Sequence, residues 1–526
     1  MKMSMTILAL SAFLAAAGAA FGQASNAADA EQMFKKSTSN ATWKWGYTGE
    51  QFGWNTNGDL HSFLRKYKVT KDEAYLDAGV KYYDAILAKM DTGPDGFKGY
   101  IGPFVYRNEV WCDVHVGDAL IFEGILDFGA TVMREPKLKE KYGAKALEYA
   151  AVVKKNFFEK WAARGTWHED GPFGFYVAWD KYGAPHEFKD WKVDEKSAGS
   201  SDNSLPFNKQ IDCGALAINL WQITGDETYK HTAEKLYGFM KSRMQKFNGA
   251  YHWNYWEPAG QWDLGATPAD IKAGEWNPKV ANKTMRHWIQ VHGHRNYQSN
   301  EMNNIVKAYN AGIVFTEEDI KGMIQTNLKV MWNGDEAKPQ YANSNADLMQ
   351  LLGKADAYHP PGTKDIAGEA WAPLGQFDAQ IRKLASRRGD DNGPAISFDR
   401  RDVSGKVELP AAFAQFPMGN IRTVHAACVL PSVFVSGETA AVFCKLLENG
   451  ELEVSLYSAD GKAKIATLKK GNVEGGHDGR DGVNYFLWNG TDPVSGNAFE
   501  SGNYRIRWTV TNDGYRELPI TILPKK

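Results

Sequence analysis

The chain has 526 residues and a formal net charge of -2, with 61 Lys and Arg against 63 Asp and Glu. That length exceeds what one hydrophobic core usually holds, so more than one domain is expected. A near-neutral balance of mixed signs excludes the basic excess that nucleic-acid binding demands. The 18 Trp and 23 Tyr suit either packed cores or the faces of sugar rings.

The opening "MKMSMTILALSAFLAAAGAAFGQASNA" has a basic start at Lys2, an apolar run from Ile7 to Ala20 and small residues for cleavage. It reads as a signal peptide over 1–24 and implies a secreted protein, periplasmic or extracellular. No Cys follows the apolar run, so no lipid anchor is expected, and no later stretch reads as a membrane span. Cys112, Cys213, Cys428 and Cys444 lack CxxC spacing. Two pairs, Cys112 with Cys213 and Cys428 with Cys444, or four buried thiols, both fit.

From about 54 to 332 a loose repeat predicts helical hairpins. The outer helices are amphipathic: 70–90, 137–161, 225–244 and 316–332. In the third, Tyr229, Ala233, Leu236 and Met240 form one apolar stripe opposite charged residues. The inner helices, 113–133, 208–225 and 296–312, are apolar on most sides, with polar groups mainly at their N-terminal ends. Further helix is expected around Ala346 to Leu352 and Glu369 to Ser386. This pattern predicts a mainly α fold over 25–386, an α/α toroid of five to seven hairpins, with an open solenoid as the alternative. Long loops over 91–112, 163–207 and 246–295, rich in Trp, Tyr and His, would fold over one rim.

After 387 the composition changes to a linker and the start of a β region over 387–440, then a small β-sandwich over 441–526. Leu452, Val454 and Leu456, and later Tyr504, Ile506, Trp508 and Val510, alternate with polar neighbours as strands do. The segments "YSADGK", "WNGTDPVSGN" and "SGNYRIRWTV", with the Gly475-Gly476 pair, resemble the Ig-like module of the flagellar hook-capping protein and of many secreted bacterial enzymes. That resemblance implies a fold and leaves function open.

A polar stripe on the helix entered by "HGHRNYQSNE" places Tyr297, Glu301 and Asn304 on one face beside apolar Met302, Ile305 and Val306. In a helix otherwise built for burial, such a stripe lines a cavity. Polar groups at analogous entries, "RNEVWCDVH", "NKQID" and "YHWNYWE", add Asn108, His115, Asn208, Gln210, His252, Trp253 and Tyr255. Together with His292, His294 and Arg295 they would hold an anionic polysaccharide and cleave it by β-elimination. Arg295, Asn208 and Gln210 would offset the uronate carboxylate. Tyr297, with His292 or His252, would move the protons.

The stretch "NEMNNIVKAYNAGIVFTEEDIKGMIQTNLKVMWNG", with "TGDETY" and "YHWNYW", resembles α/α-toroid polysaccharide lyases acting on glucuronan and alginate. The resemblance implies a polysaccharide lyase. Relatives carry a His-Gly pair ahead of "AGIVFT", and here that register falls on Tyr297 and Gln298. Two alternatives compete: a glycoside hydrolase on an acidic polysaccharide, using carboxylates among Asp113, Asp118, Asp212, Glu257 and Glu301, or a non-catalytic glycan-binding protein. In the first, Asp113 and Asp212 are equally explained as acids that favour helix starts. His292-Gly-His294 with His252 or His287 is too sparse to imply a metal, and no cofactor is expected.

Overall fold

In the computed structural model, residues 26–104, 107–179, 181–184, 187–193, 203–247, 249–259, 263, 268–274, 295–339, 341, 371–385, 424–476 and 481–525 are described. For 107–109, 184, 187–193, 247, 295–300 and 425 only the backbone is described. The signal segment, His292, His294, the helix expected over 346–352 and the linker from 387 to 423 lie outside these residues. The chain divides into two compact units: one comprises residues up to Lys160 with 181–193 and 222–225, the other the remainder.

The first unit is helical. Helices α1 (Glu50–Thr70), α2 (Ala74–Leu87), α3 (His115–Arg134) and α4 (Pro136–Val153) form two hairpins. All of α3 is buried except Asp127, Met133 and Arg134, as its apolar sequence requires. Pro136 opens α4, where its missing N–H costs nothing and its fixed φ is already helical. A spacing of seven on both α2 and α4 sets two tyrosines against two carboxylates. Tyr142 donates to Asp77 at 2.7 Å and Tyr149 to Asp84 at 2.9 Å, each hydroxyl satisfied where its ring is packed away. A four-stranded sheet of Gly102–Phe104, Arg107–Cys112, Lys181–Ala184 and Glu187–Val193 completes this unit.

In the second unit, α5 (Phe207–Thr224) and α6 (Glu227–Arg243) form a third hairpin, α5 ending in residues that belong to the first unit. Helices α7 (Arg295–Asn310) and α8 (Glu317–Gln325) form the fourth. Asp226 caps α6 by accepting from the Thr228 N–H, and Thr316 and Asp319 form a capping box on α8. The stripe of Tyr229, Ala233, Leu236 and Met240 is buried as its spacing predicts. The region near 369–386 is a short 3-10 turn, Ala372–Gln376, and a helix, Ala379–Ala385. The long loops contain short β-hairpins that the sequence did not announce, Trp167–Asp170 with Phe173–Tyr176 and Gln245–Phe247 with Ala250–His252. No helix among the described residues is long and apolar enough to cross a membrane.

The C-terminal region is all strand. Strands β1 (Val424–Leu430), β2 (Val433–Val435), β3 (Ala440–Leu446), β4 (Gly450–Ser458), β5 (Lys464–Val473), β6 (Val483–Trp488), β7 (Gly502–Val510) and β8 (Gly514–Leu523) make two sheets. Their orders are β1-β3-β6 and β2-β8-β7-β4-β5. Val442, Cys444, Val454, Leu456, Ile506 and Trp508 are among the residues of both sheets that share one core. On its other face the three-stranded sheet packs Cys428, Phe443 and Val483 against Trp256 and Ile271. The four cysteines are free and buried. In the β1–β3 ladder Ala427 faces Cys444 and Cys428 faces Phe443, so Cys428 and Cys444 point to opposite faces and cannot bond.

A buried ion pair ties the strands to the helical part of this unit. Arg516 of β8 donates to Glu257 Oε2 and, at 3.1 Å, to the Arg243 carbonyl, while Asn254 donates to Glu257 Oε1 at 2.8 Å. All three charged groups are buried. Removing Arg516 leaves Glu257 Oε2 with the longer ion pair to Arg243 Nε, 3.9 Å away, so the cost approaches but does not exceed about 3–5 kcal/mol, that of a fully stranded buried charge. Arg516→Met is therefore expected to lower the unfolding free energy of the full chain by that amount in urea titrations. Adding Glu257→Gln should restore part of it, since Arg243 then loses its carboxylate, and a loss below about 1 kcal/mol for the single variant would show that the pair carries little stability.

Candidate functional site

The site is built outward from α8. Tyr251 donates its hydroxyl to Asp319 Oδ1 at 2.8 Å, and Asp319 Oδ2 accepts from Lys241 Nζ at 2.6 Å. The Tyr251 ring lies on Gly322, where an added Cβ would sit 1.8 Å from the ring. Thr326 then clamps the Tyr251 backbone, its hydroxyl accepting from the N–H at 2.7 Å and lying 3.0 Å from the carbonyl. This threonine opens a π-helical turn, Thr326–Met331, a distortion that places its side chain. With Tyr251 fixed, the next two residues, His252 and Trp253, are held in a buried position.

Trp253 donates its indole N–H to Glu301 Oε2 at 2.7 Å, and its ring stacks on Trp371 with centroids 5.8 Å apart. One turn along α7 from Glu301, Asn304 donates to Asp212 Oδ1 of α5 at 2.8 Å. One turn back along α5 from Asp212 lies Asn208, fully buried, with neither amide atom hydrogen-bonded among the described residues. Asp212, Glu301, Asn304 and Trp371 are buried as well. Two carboxylates, two amides and two stacked indoles thus share one interior cluster between facing helices.

Of the residues expected at the site, Asn208, Trp253 and Glu301 meet in this cluster, with His252 beside it in the chain. Arg295 and Tyr297 occupy the first turn of α7, Tyr297 one turn before Glu301 and two turns before Asn304 in sequence. His292 and His294 lie outside the described residues. Gln210 departs from the expectation. Its amide donates to the Tyr176 and Leu205 carbonyls at 2.8 and 3.1 Å and accepts from the Tyr176 N–H at 2.8 Å, so it joins α5 to the preceding hairpin. Tyr255 is half-buried and packs on the core formed by Trp256 and the three-stranded sheet. Asn108 and His115 belong to the first unit, the former on a strand and the latter buried at the start of α3.

The carboxylate shortlist also changes. Glu257 is held by Arg516 and Asn254, a structural ion pair. Asp113 and Asp118 are fully buried around one lysine: Lys160 Nζ donates to Asp113 Oδ2 at 2.9 Å, to Asp118 Oδ2 at 2.5 Å and to the Lys98 carbonyl at 3.2 Å. The π-helical turn Lys154–Glu159 at the end of α4 carries the chain to Lys160. An added Cβ at Gly99 would stand 2.5 Å from the Asp113 carboxylate, so only glycine fits. Asp113 precedes α3 and is explained by Lys160 rather than by the helix start. Asp212, by contrast, lies in the second turn of α5, beyond the first-turn positions where a bare helix start rewards an acid. Asp212 and Asn304 are the pair that sequence reasoning undervalued. Their signal was the polar stripe of Glu301 and Asn304 beside apolar Met302, Ile305 and Val306 on α7, and a carboxylate directly followed by the apolar run of α5.

No protein-family model matches the chain, and no curated protein matches it. Among solved structures, an inactive double Asp-to-Asn variant of the α-1,6-mannanase GH76A of Salegentibacter sp. HEL1_6, bound to α-1,6-mannotriose, aligns at 14% identity and a TM-score of 0.30, covering 67% of this chain and 86% of that one. The Pseudomonas fluorescens alkylpurine DNA glycosylase AlkC, bound to DNA containing an abasic site analog, aligns at 11% identity and a TM-score of 0.15, covering 77% and 98%. At these scores neither likeness assigns a fold or an activity.

Burial pushes the Asp118 carboxyl up from 3.8 to about 7, with the Asp113 charge adding to the rise and Lys160 opposing it. Between those values the folded chain binds a proton that the unfolded chain has released. Stability contributed by this group is therefore full below about pH 4 and falls as pH rises toward 7. Asp118→Asn, which leaves Lys160 paired with Asp113, is expected to flatten that part of the stability profile in urea titrations run between pH 4 and 8. An unchanged slope would refute the assignment.

Proposed function

We propose that the chain is an exported polysaccharide-cleaving enzyme in which Asp212 and Glu301 are the acid and base of glycosidic-bond hydrolysis. The helical hairpins would be the repeating elements of an α/α toroid, with an Ig-like β-sandwich attached. The observation that carries the reading is Asn208. A purely structural buried network satisfies every member, because each unpaired amide costs about 1–3 kcal/mol. An interior amide with two unpaired atoms, one turn from a carboxylate, is instead a group kept for a ligand's hydroxyls. Two carboxylates on facing helices are the equipment for protonating a leaving oxygen and activating water. The indole N–H on Glu301 fixes that carboxylate's orientation, and the Trp253–Trp371 stack gives it an apolar wall.

A second reading, β-elimination on a uronic-acid polymer, is favoured by the position of Arg295 and Tyr297 on the first turn of α7, the helix that bears Glu301. There Arg295 would neutralise the uronate and Tyr297, with His252 or His292, would move the proton.

Incubation with a panel of neutral and uronic-acid polysaccharides separates the two. New reducing ends without unsaturated product support hydrolysis, whereas ultraviolet absorbance from a new double bond supports elimination. In the first case Asp212→Asn and Glu301→Gln are each expected to lower kcat by about 10²-fold or more with circular dichroism unchanged, and Tyr297→Phe to leave it within about threefold. Loss of activity in Tyr297→Phe alone would overturn the carboxylate assignment. Absence of turnover on every polymer, with binding retained, would make the chain a glycan-binding protein.

A further inference from the structure

The strand region contains a cavity of about 200 Å³. It lies at the seam where the two sheets present their edge strands, β5 on the five-stranded sheet and β6 on the three-stranded one. Register shows why the seam is not filled. Val454 pairs with Lys469 and Leu452 with Gly471 across β4 and β5, while Val442 pairs with Phe486 and Cys444 with Asn484 across β3 and β6. Val442, Cys444, Leu452 and Val454 all face the shared core, so their partners face it too. Where a closed pair of sheets would place apolar side chains, β5 therefore offers a glycine and a lysine.

The floor of the cavity is apolar, with Val442, Val454 and the fully buried Trp508. Its mouth carries one cation that no carboxylate neutralises. Lys464 and Lys470 pair with Glu453 and Glu451, but Lys469 has no ion pair among the described residues and stands 5.4 Å over the Phe486 ring. An added Cβ at Gly471 meets nothing within 4 Å, so the space beside it is open.

We infer that this seam binds a small aromatic carboxylate, its ring against Phe486 above the apolar floor and its charge on Lys469. Size supports a single ring, since an apolar cavity of about 150 Å³ accommodates benzene. A sugar suits it less, because the apolar floor offers few partners for several hydroxyls. An inward lysine on an edge strand also has a simpler role, the prevention of edge-to-edge association. The two roles differ in what they recognise.

The test is calorimetric titration of the full chain with phenylacetate, its neutral isostere phenylacetamide, and phenethylamine. Phenylacetate is expected to bind about three- to fivefold tighter than the amide, the worth of a solvent-exposed ion pair, and phenethylamine weakest. Lys469→Gln should make acid and amide equal. Gly471→Leu should fill the cavity and abolish binding of both, with a melting temperature equal to or above that of the parent chain. Absence of phenylacetate binding, an acid preference that survives Lys469→Gln, or binding that survives Gly471→Leu would each overturn the site. Aggregation of Lys469→Gln in a chain whose parent form binds none of the three would leave edge protection as the role of the lysine.

Discussion

A helix covered on every side has no solvent to serve its polar side chains, so each polar group it carries must find a partner inside the protein. That constraint organises both units. On α3 it draws Lys160 against Asp113 and Asp118. On α5 and α7 it joins Asp212 to Asn304 and leaves Asn208 open. The same demand pairs Lys241 with Asp319 between α6 and α8 and Gln210 with the backbone of the preceding hairpin. Among the described residues, Asn208 and Asn327 are fully buried amides with both atoms unpaired, and of these Asn208 lies one turn from the Asp212 carboxylate on α5.

The same constraint explains the distorted turns. The two π-helical segments among the described residues fall at the ends of outer helices, and each delivers one polar residue inward, Lys160 after the first and Thr326 at the start of the second. An undistorted helix would carry these positions about the axis by a fixed step and could not place them independently. The widened turn therefore acts as a positioning device, at the expense of some local hydrogen-bond geometry.

Much of the helical architecture was legible because periodicity is local. The apolar stripe on α6 and the apolar girth of α3 and α5 can be counted along the chain, and the helices end within a few residues of where those patterns stop. The hairpins Trp167–Asp170 with Phe173–Tyr176 were not, since strands of four residues are too short to show alternation and their aromatic side chains read as loop content. In the site, Asn208, Trp253 and Glu301 stood out as polar or aromatic residues at the entries of buried helices. Gln210 had the same appearance, but its role depends on Tyr176, a residue 34 positions earlier that no local pattern connects to it. Asp212 and Glu257 both depend on partners that no local pattern reveals. Asp212 reads equally as a helix-start acid although its partner is Asn304, 92 positions on, and Glu257 reads as a candidate carboxylate although its partner is Arg516, separated from it by 259 positions.

The opposed orientation of Cys428 and Cys444 has a use beyond excluding a bond between them. One sulfur sits between the two sheets and the other in the layer beneath, against Trp256 and Ile271. Burial pushes both thiols up to about 12, so neither reacts while covered. With Cys213 enclosed in α5 and Cys112 in the first unit, the chain holds four silent labels, each in a different compartment of the interior. The order in which they become alkylated under mild denaturant would trace which layer of the molecule opens first.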